Sequence, residues 1–293
     1  MRYQLLGKTL GSMLHVLCRK WLKLLLHYGL WVMCGLLGTG NNMTFRYAHA
    51  AINSAATPTS FKPLTYSVIQ TYAHQPKAFT QGWLLEGDDF YESSGLYRQS
   101  YVVRYNRNNT VQQRVSIPNH LFAEGLTLLN NELYLLSWQA GRALVLDPTT
   151  LHTKRSYHYR GEGWGLTHDG QSLIMSNGSN QLQLRHPKTF KITRQMTVQG
   201  GAYDWQRLNE LEFAKGIIWA NIWQSPIIAA IDPDTGAVLG TVNLKKLVKA
   251  NTQHPSYQSL NGIAYDAKHD AFWVTGKEWP KRYLIKIDIL TTP

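Results

Sequence analysis

Hydrophobic and polar positions repeat along the chain with a long period from about Leu64 onward. Five turn-like segments each join a small or polar pair to an apolar residue: Gln81-Gly82-Trp83, Glu124-Gly125-Leu126, Trp164-Gly165-Leu166, Asn209-Glu210-Leu211 and Asn261-Gly262-Ile263. Counted from the second residue of each segment, the spacings are 43, 40, 45 and 52 residues. A period of this length indicates one supersecondary unit that occurs five times.

Each unit continues with short apolar and aromatic runs that predict β-strands. A second run follows every segment, at residues 90–92, 133–136, 173–175, 217–220 and 271–274. A third run follows at residues 101–105, 143–146, 181–184, 227–231 and 283–287. The first four units also have a fourth run, at residues 111–117, 154–159, 192–198 and 238–244. Short runs at regular spacing, separated by Gly, Pro and Asp turns, are typical of antiparallel sheets.

The fifth unit ends without a fourth run, and residues 65–72 supply a strand-like run at the other end of the domain. A β-propeller closes its ring by such an exchange, which leaves no open sheet edge. We therefore predict an all-β fold, a five-bladed β-propeller over residues 64–293, in which an N-terminal strand completes the last blade. Residues 244–257 include Lys245, Lys246 and Lys249 and predict a short helix or loop with a solvated face.

Residues 1–50 have the pattern of a secretory signal peptide. The formal net charge is +12, and the first 50 residues contain six Lys or Arg and no acidic residue. A largely apolar run of 14 residues follows Lys23, and Ala48-His49-Ala50 offers a cleavage site of small residues. The prediction is export to the periplasm or secretion, with residues 51–63 as a flexible lead-in. An uncleaved inner-membrane anchor is the alternative, although the run is shorter than the roughly 20 residues that span a bilayer.

The cysteines and the lysines of residues 244–257 bear on two further questions, namely how the domain is stabilised and whether it binds nucleic acid. Cys18 and Cys34 both lie in the predicted leader, so the mature domain must be stabilised by its core without a disulfide. We expect a monomer that has no membrane contact after cleavage. Nucleic-acid binding is not expected, because no aromatic residues suited to base stacking interleave the lysines of residues 244–257.

The five repeated segments predict the position of a ligand site. They lie at the starts of the predicted inner strands, which converge on the central channel of a propeller, and ligands usually bind at one end of that channel. The polar members of this ring are Gln81, Glu124, Asn209 and Asn261, with Lys277 from the last unit. The aromatic members are Phe79, Phe122, Trp138, Trp164 and Trp223. A single Trp or a Glu–Lys pair is often structural, but such groups at equivalent positions in different repeats indicate a pocket.

The sequence lacks the motifs that identify several classes of enzyme. The chain has no HExxH, no CxxC, no Gly-rich phosphate loop and no G-x-S-x-G elbow. Zinc hydrolases, P-loop enzymes and serine hydrolases of the elbow type are therefore excluded. We expect neither a metal nor a cofactor.

Nine strings spread over all five repeats carry a family resemblance. They are HQPKAFTQG (74–82), YESSGLY (91–97), FAEGLT (122–127), LSW (136–138), GEGWGLT (161–167), LNELE (208–212), ANIW (220–223), LNGIAYD (260–266) and TGKEWP (275–280). In this order the strings resemble the plant and bacterial glutaminyl cyclases, the glutaminyl-peptide cyclotransferase family. The chain departs from the family at Asn177, where Asp is usual, and at Arg98, where Gly is common.

The resemblance implies a five-bladed propeller that converts the N-terminal glutamine of peptides or proteins to pyroglutamate and releases ammonia without a metal. It also implies the site residues. These are Phe79, Gln81, Phe122, Glu124, Trp138, Trp164, Asn209, Trp223 and Lys277.

Each of these groups has an expected part in that reaction. Glu124 has largely apolar neighbours in the sequence, which raise a carboxyl pKa, and we expect it to act as general acid and base. Gln81 and Asn209 orient the substrate, and Lys277 stabilises the developing oxyanion or holds a neighbouring carbonyl. The aromatic residues Phe79, Phe122, Trp138, Trp164 and Trp223 bind the substrate and exclude water.

Two other functions stay open from the sequence. A propeller with this pocket can bind peptides without catalysis, since a fold does not determine a function. A metal-dependent propeller lactonase needs several inward Asp, Asn and Glu ligands, whereas the predicted ring also contains an ammonium group.

Overall fold

The computed structural model of the protein describes residues 62–75, 77–254 and 258–288. All of these residues belong to one compact unit of the chain. The predicted signal peptide, residues 1–50, and nearly all of the predicted lead-in, residues 51–63, lie outside the described residues.

The described chain forms five sheets of strands. It begins with β1 (Lys62–Leu64) and β2 (Tyr66–Ala73). The first blade contains β3 (Thr80–Glu86), β4 (Asp89–Ser94), β5 (Tyr101–Asn106) and β6 (Val111–Ser116), and the second contains β7 (Ala123–Leu129), β8 (Glu132–Ser137), β9 (Arg142–Leu146) and β10 (Thr153–His158). The third contains β11 (Leu166–His168), β12 (Leu173–Met175), β13 (Gln181–Arg185) and β14 (Ile192–Thr197). The fourth contains β15 (Leu208–Ala214), β16 (Ile217–Ile222), β17 (Ile227–Ile231) and β18 (Val238–Asn243), and the fifth β19 (Leu260–Asp266), β20 (Ala271–Gly276) and β21 (Lys281–Ile287).

The N-terminal strand β2 completes the fifth blade. It pairs antiparallel with β21, in a register that runs from Tyr66 opposite Ile287 to Ala73 opposite Lys281. The inner strands β3, β7, β11, β15 and β19 each contact the next, and β19 contacts β3. The predicted five-bladed propeller, with its ring closed by an N-terminal strand, is confirmed.

Strand β1 was not predicted. It pairs in parallel with β18, with Lys62 opposite Gly240, and adds an outer strand to the fourth blade. Strand β1 therefore begins two residues before the predicted boundary at Leu64. Three residues are too short for any alternation of polar and apolar positions, so the sequence pattern carries no signal for this strand.

Buried hydrophobic clusters fill the space between neighbouring blades. The cluster between the fifth and the first blade is the most aromatic, with Trp83 stacked on Phe90 at 5.0 Å and Phe90 edge-on to Trp273 at 5.5 Å between ring centroids. Four further clusters join the other neighbouring blades. The ring is thus closed by side-chain packing as well as by the pairing of β2 with β21.

Glycines of the repeated segments allow the inner strands to approach each other. A Cβ atom on Gly125 would lie 2.5 Å from the backbone nitrogen of Leu166, and one on Gly165 would lie 1.9 Å from the carbonyl oxygen of Asn209. Any larger residue would push neighbouring blades apart. The glycines therefore recur in the repeat because the backbones converge on the channel.

One helix occurs within the described residues, α1 (Lys245–Asn251). Lys245, Lys246 and Lys249 are exposed and Leu247 is buried, as the sequence predicts for a short helix with a solvated face. Within the part of the chain that the structure describes, no helix has the length and apolar character needed to cross a membrane.

Candidate active site

A cavity of about 260 Å³ lies among the starts of the inner strands and the loops beside them. Its walls contain Phe79, Gln81, Leu96, Phe122, Glu124, Trp138, Trp164, Asn209, Trp223 and Lys277. All nine residues that the sequence reading assigns to the site are therefore brought together in one space. The cavity wall contains one further residue, Leu96, which was not predicted from the sequence.

Backbone irregularities turn the polar residues toward this cavity. The pairing of β3 with β4 shifts register between Thr80 and Gly82, and that of β7 with β8 shifts between Ala123 and Leu126. The pairing of β15 with β16 shifts between Leu208 and Leu211. A bulge of this kind re-aims the side chain at its centre, and the centres here include Gln81, Glu124 and Asn209. The same local distortion occurs in four blades, because the pairing of β19 with β20 also shifts register, between Leu260 and Ile263 around Asn261.

Aromatic rings form most of the cavity wall. Phe79 meets Phe122 at 6.3 Å and Phe122 meets Trp138 at 5.6 Å, both in edge-to-face geometry. Trp164 meets Trp223 at 5.6 Å with an interplanar angle of 88°. Edge-to-face contacts of this kind stabilise the rings in their relative orientations, and the resulting wall is apolar.

Glu124 is the buried carboxyl group of the cavity, with a side chain that is 5% exposed. Its Oε1 accepts a hydrogen bond of 3.0 Å from Gln81 Nε2. Burial raises the pKa of Glu124 well above its ordinary value, the negative charge of Glu162 raises it further, and the charge of Lys277 partly opposes both. The carboxyl therefore keeps its proton to higher pH than an exposed glutamate does, as a general acid requires.

Lys277 is the cationic group of the cavity and is equally buried. Its Nζ lies 4.9 Å from the centroid of the Phe79 ring, within the range of a cation–π contact. Burial lowers the pKa of Lys277 to about 8, against the opposing charge of Glu124. The pair thus places an acid with a raised pKa and a base with a lowered pKa around one space, which is typical of catalytic sites.

Asn261 fixes the amide of Gln81. Its Nδ2 donates to the carbonyl oxygen of Thr80 at 2.9 Å and to Gln81 Oε1 at 3.3 Å. With its oxygen engaged, Gln81 presents its amide nitrogen to Glu124. Asn209 is also buried, and among the described residues its Oδ1 has no hydrogen-bond donor. That oxygen is available to a substrate N–H group.

Sequence reasoning missed two residues of this region, Leu96 and Glu162. Leu96 adopts a φ of +86°, a conformation that costs energy for a residue with a side chain and is often found at functional sites. The Oε2 atom of Glu162 accepts hydrogen bonds from the indole nitrogens of Trp138 and Trp164, both at 2.8 Å. Both residues lie inside strings that carry the family resemblance, but neither belongs to the repeated segments. The repeat pattern therefore gave no signal for them.

The two departures from the family pattern have simple local consequences. Arg98 has a φ of +66°, which Gly adopts at no steric cost and Arg adopts with strain. Asn177 Oδ1 accepts from the backbone nitrogen of Ser179 at 3.2 Å and from its hydroxyl at 2.6 Å, so the amide oxygen forms a turn that Asp can also form. Neither residue lines the cavity.

No group of three or more His, Cys, Asp or Glu side chains clusters as metal ligands within residues 62–75, 77–254 and 258–288. The lactonase alternative calls for inward Asp, Asn and Glu ligands, and of these the Asp and Glu side chains of the described residues form no such cluster.

Comparison with known proteins gives consistent matches. The sequence profile of the family described as "Glutamine cyclotransferase" matches residues 42–287. A protein of Arabidopsis thaliana named "Glutaminyl-peptide cyclotransferase" is 38% identical over 225 residues, which cover 75% of this chain and 70% of that protein. The crystal structure of Myxococcus xanthus glutaminyl cyclase superposes with a TM-score of 0.72 at 31% identity, and the match covers 79% of this chain and all of that one.

Proposed function

The chain belongs to the glutamine cyclotransferase family, and we propose that the pocket around Glu124 carries out its reaction, with Glu124 as the group that moves the proton. The protein is an enzyme that converts the N-terminal glutamine of a peptide or protein to pyroglutamate and releases ammonia. The single observation that carries the proposed mechanism is the buried carboxyl of Glu124, with its raised pKa, in the wall of an aromatic cavity.

The reaction makes two demands on the site. The α-amine attacks its own γ-carboxamide carbon, so a C–N bond forms while the amine gives up a proton. The C–N bond to the side-chain nitrogen then breaks, and that nitrogen must gain a proton to leave as ammonia. One carboxyl group can meet both demands in turn, because it accepts the first proton and donates it in the second step.

Glu124 is placed for this exchange. Its Oε1 is engaged by Gln81, while among the described residues no second hydrogen bond to the side chain is found. The carboxyl therefore has capacity left for a substrate amine. Because its pKa is raised well above the ordinary value, its protonated form persists to higher pH than that of an ordinary glutamate and can serve as the acid.

The neighbouring polar groups support the same geometry. The free Oδ1 of Asn209 can accept from the substrate amine or amide, and the amide of Gln81 is already fixed by Asn261. The ammonium of Lys277 offers positive charge for the oxygen that becomes negative when the ring closes. Trp164 and Trp223 enclose the methylene groups of the glutamine and keep water out.

A non-catalytic peptide-binding propeller is the rival function. It would need the aromatic wall, but it would have no use for an acid and a base whose pKa values are shifted toward each other. The shifts of Glu124 and Lys277 therefore favour catalysis.

The direct test is ammonia release from a glutaminyl dipeptide by the purified protein. We expect release from the free dipeptide and none from the N-acetylated dipeptide, whose blocked amine cannot attack. An asparaginyl dipeptide controls for simple amide hydrolysis. Tight binding of the free dipeptide without ammonia release would favour the peptide-binding alternative.

We also propose that the protein acts as a monomer after export. The basic, acid-free start of the sequence and its 14-residue apolar run support the export. N-terminal sequencing of protein from the envelope fraction distinguishes cleavage after Ala50 from a retained anchor. Light scattering of the mature protein measures its oligomeric state.

A further inference from the structure

Glu162 lies beside the pocket and has no part in the reaction scheme above. Its Oε2 accepts from Trp138 Nε1 and from Trp164 Nε1, both at 2.8 Å, and its Oε1 accepts from Gln139 Nε2 at 3.1 Å. Trp138 follows the second strand of blade two, and Trp164 precedes the first strand of blade three. One carboxylate oxygen therefore joins indole rings from two blades.

This oxygen connects the two halves of the aromatic wall. On one side Trp138 packs against Phe122, and on the other Trp164 packs against Trp223. The indole N–H groups are the only polar atoms of those two side chains, and each can donate a single hydrogen bond. A shared acceptor thus fixes the angle between the two halves.

The backbone holds Glu162 in this place. The nitrogen of Gly163 donates to the carbonyl oxygen of Trp138 at 2.9 Å, and that of Trp164 donates to Ser176 at 3.1 Å. Gly161 has a φ of +84°, and a Cβ atom on Gly163 would lie 2.2 Å from the hydroxyl of Tyr159. The two glycines allow a tight turn that carries the carboxylate up to both indoles.

The charge of Glu162 is not neutralised by a basic neighbour. Of the described Lys, Arg and His residues, none forms an ion pair with it. Burial tends to raise the pKa of Glu162, but the hydrogen bonds from Trp164, Gln139 and Trp138 outweigh burial and lower it. The group therefore stays negative at working pH.

We propose that Glu162 is a positioning residue of the cyclase: its carboxylate fixes Trp138 and Trp164 as one wall, and its charge acts on Glu124 across the pocket. The second part rests on the proposed function of Glu124. Among the described residues, three ionisable groups interact electrostatically with Glu124, namely Glu162, Lys277 and the hydroxyl of Tyr159. Tyr159 is neutral, so Glu162 and Lys277 act on Glu124 with opposite signs.

The sign of the electrostatic effect follows from these contacts. The negative charge of Glu162 raises the pKa of Glu124, so removal of that charge lowers it. Glu124 must be ionised to accept the proton of the substrate amine. The acid limb of the kcat/KM profile should therefore move to lower pH when the charge is removed.

Two variants separate the two parts of the proposal. Glu162→Gln keeps an oxygen that can accept from both indoles but removes the charge, and Glu162→Ala removes both. In Glu162→Ala we expect KM to rise about tenfold, equivalent to about 1.4 kcal/mol, the size of one hydrogen bond to a charged group. The near-UV circular dichroism of the Trp residues should change with it. In Glu162→Gln, KM and the spectrum stay close to wild type while the acid limb moves to lower pH.

The matched control is Glu86→Gln, which removes an exposed carboxylate five residues along β3 from Gln81, roughly 16 Å away. This variant should reproduce wild type in KM, spectrum and pH profile. An unchanged KM and spectrum in Glu162→Ala overturns the role in the wall. If Glu162→Ala does not fold, a wild-type KM with a moved acid limb in Glu162→Gln still supports the proposal.

The electrostatic part fails separately from the proposed function. An acid limb that does not move in Glu162→Gln, while Glu124→Gln is inactive, overturns the action of Glu162 on Glu124. Normal turnover by Glu124→Gln instead overturns the proposed function, and KM and the Trp spectrum still decide whether Glu162 fixes the wall.

Discussion

Two buried carboxyl groups, Glu92 and Glu124, lie in neighbouring blades in opposite surroundings. Glu92 accepts hydrogen bonds from Thr80 Oγ1 at 2.6 Å and from the hydroxyl of Tyr105 at 2.9 Å, and it lies 3.3 Å from His74 Nε2. Burial raises the pKa of Glu92, but His74, Thr80 and Tyr105 outweigh burial and lower it. Glu124 has a single hydrogen bond of this kind, from Gln81, and its pKa is raised.

The two environments begin at adjacent residues of one strand. Thr80 and Gln81 follow each other in β3, and the bulge at Gln81 aims its side chain toward the cavity and away from that of Thr80. Thr80 binds Glu92, and Gln81 binds Glu124. Burial alone therefore does not decide the state of a carboxyl: a full set of partners lowers the pKa of Glu92, while an incomplete set leaves that of Glu124 raised.

The largest expected effect comes from a substitution in the complete set of hydrogen-bond partners around Glu92. Glu92→Gln removes the negative charge that accepts from Thr80 and Tyr105, and weakening two buried hydrogen bonds to a charged group costs about 3 kcal/mol. We expect the free energy of unfolding to fall by that amount in urea titrations. The folded fraction should retain its kcat. A variant with wild-type stability would show that the Glu92 network contributes nothing to the fold.

The next effect concerns the incomplete set. Glu124→Gln keeps the size of the side chain but cannot accept a proton, so kcat should fall by about 10²-fold or more. KM should change much less, because Trp164, Trp223 and Asn209 still form the pocket. Steady-state cyclisation of a glutaminyl dipeptide measures both constants. Near wild-type turnover would assign the proton transfer to another group.

A smaller effect, on the pH dependence of kcat/KM, distinguishes the two charged residues that act on Glu124, Lys277 and Glu162. Lys277 lowers the pKa of Glu124, so Lys277→Met should raise it and move the acid limb of kcat/KM to higher pH. This direction is opposite to that expected for Glu162→Gln. We expect kcat/KM at neutral pH to fall by about tenfold, the usual loss for one polar contact. A shift of both variants in the same direction would contradict the arrangement of charges around Glu124.

The smallest effect is on the pH dependence of stability, and its sign differs between the two carboxyls. Glu92 has a lowered folded-state pKa, so its contribution to stability is present above its ordinary pKa and is lost as pH falls through the folded value. Glu124 has a raised folded-state pKa, so the native state binds more protons and loses stability as pH rises above the ordinary value. Thermal melts should therefore show Glu124→Gln gaining stability over wild type from weakly acid to neutral pH. A constant difference across that range would contradict the raised pKa.

Most of this architecture could be predicted from the sequence, because each repeat consists of apolar and aromatic runs that have the length of a β-strand. Every predicted run became a strand, and residues 65–72 correspond to β2 with a shift of one residue at each end. The ring of polar residues was predictable for the same reason, since equivalent positions of a repeat face the same axis. Their roles in catalysis are still proposals.

The features that escaped prediction depend on contacts between repeats or on backbone geometry. Strand β1 pairs in parallel with β18, which lies far along the chain, and no local pattern encodes that pairing. Glu162 gains its position from two indole nitrogens in different blades, which no local pattern encodes. The partners of Glu92, at positions 74, 80 and 105, lie on three separate segments and meet only in the folded protein.

The pairing of β2 with β21 also determines the order of events during synthesis. The closing strand β2 leaves the ribosome before β3 and every later strand, and its partner β21 is the last strand described, so β2 stays unpaired until almost the whole domain exists. Contacts between distant parts of a chain form slowly, because closing a long loop costs conformational entropy before any stabilising contact is made. The ring therefore shuts late in folding, and a chain cut short before β21 exposes two sheet edges that other chains can pair with.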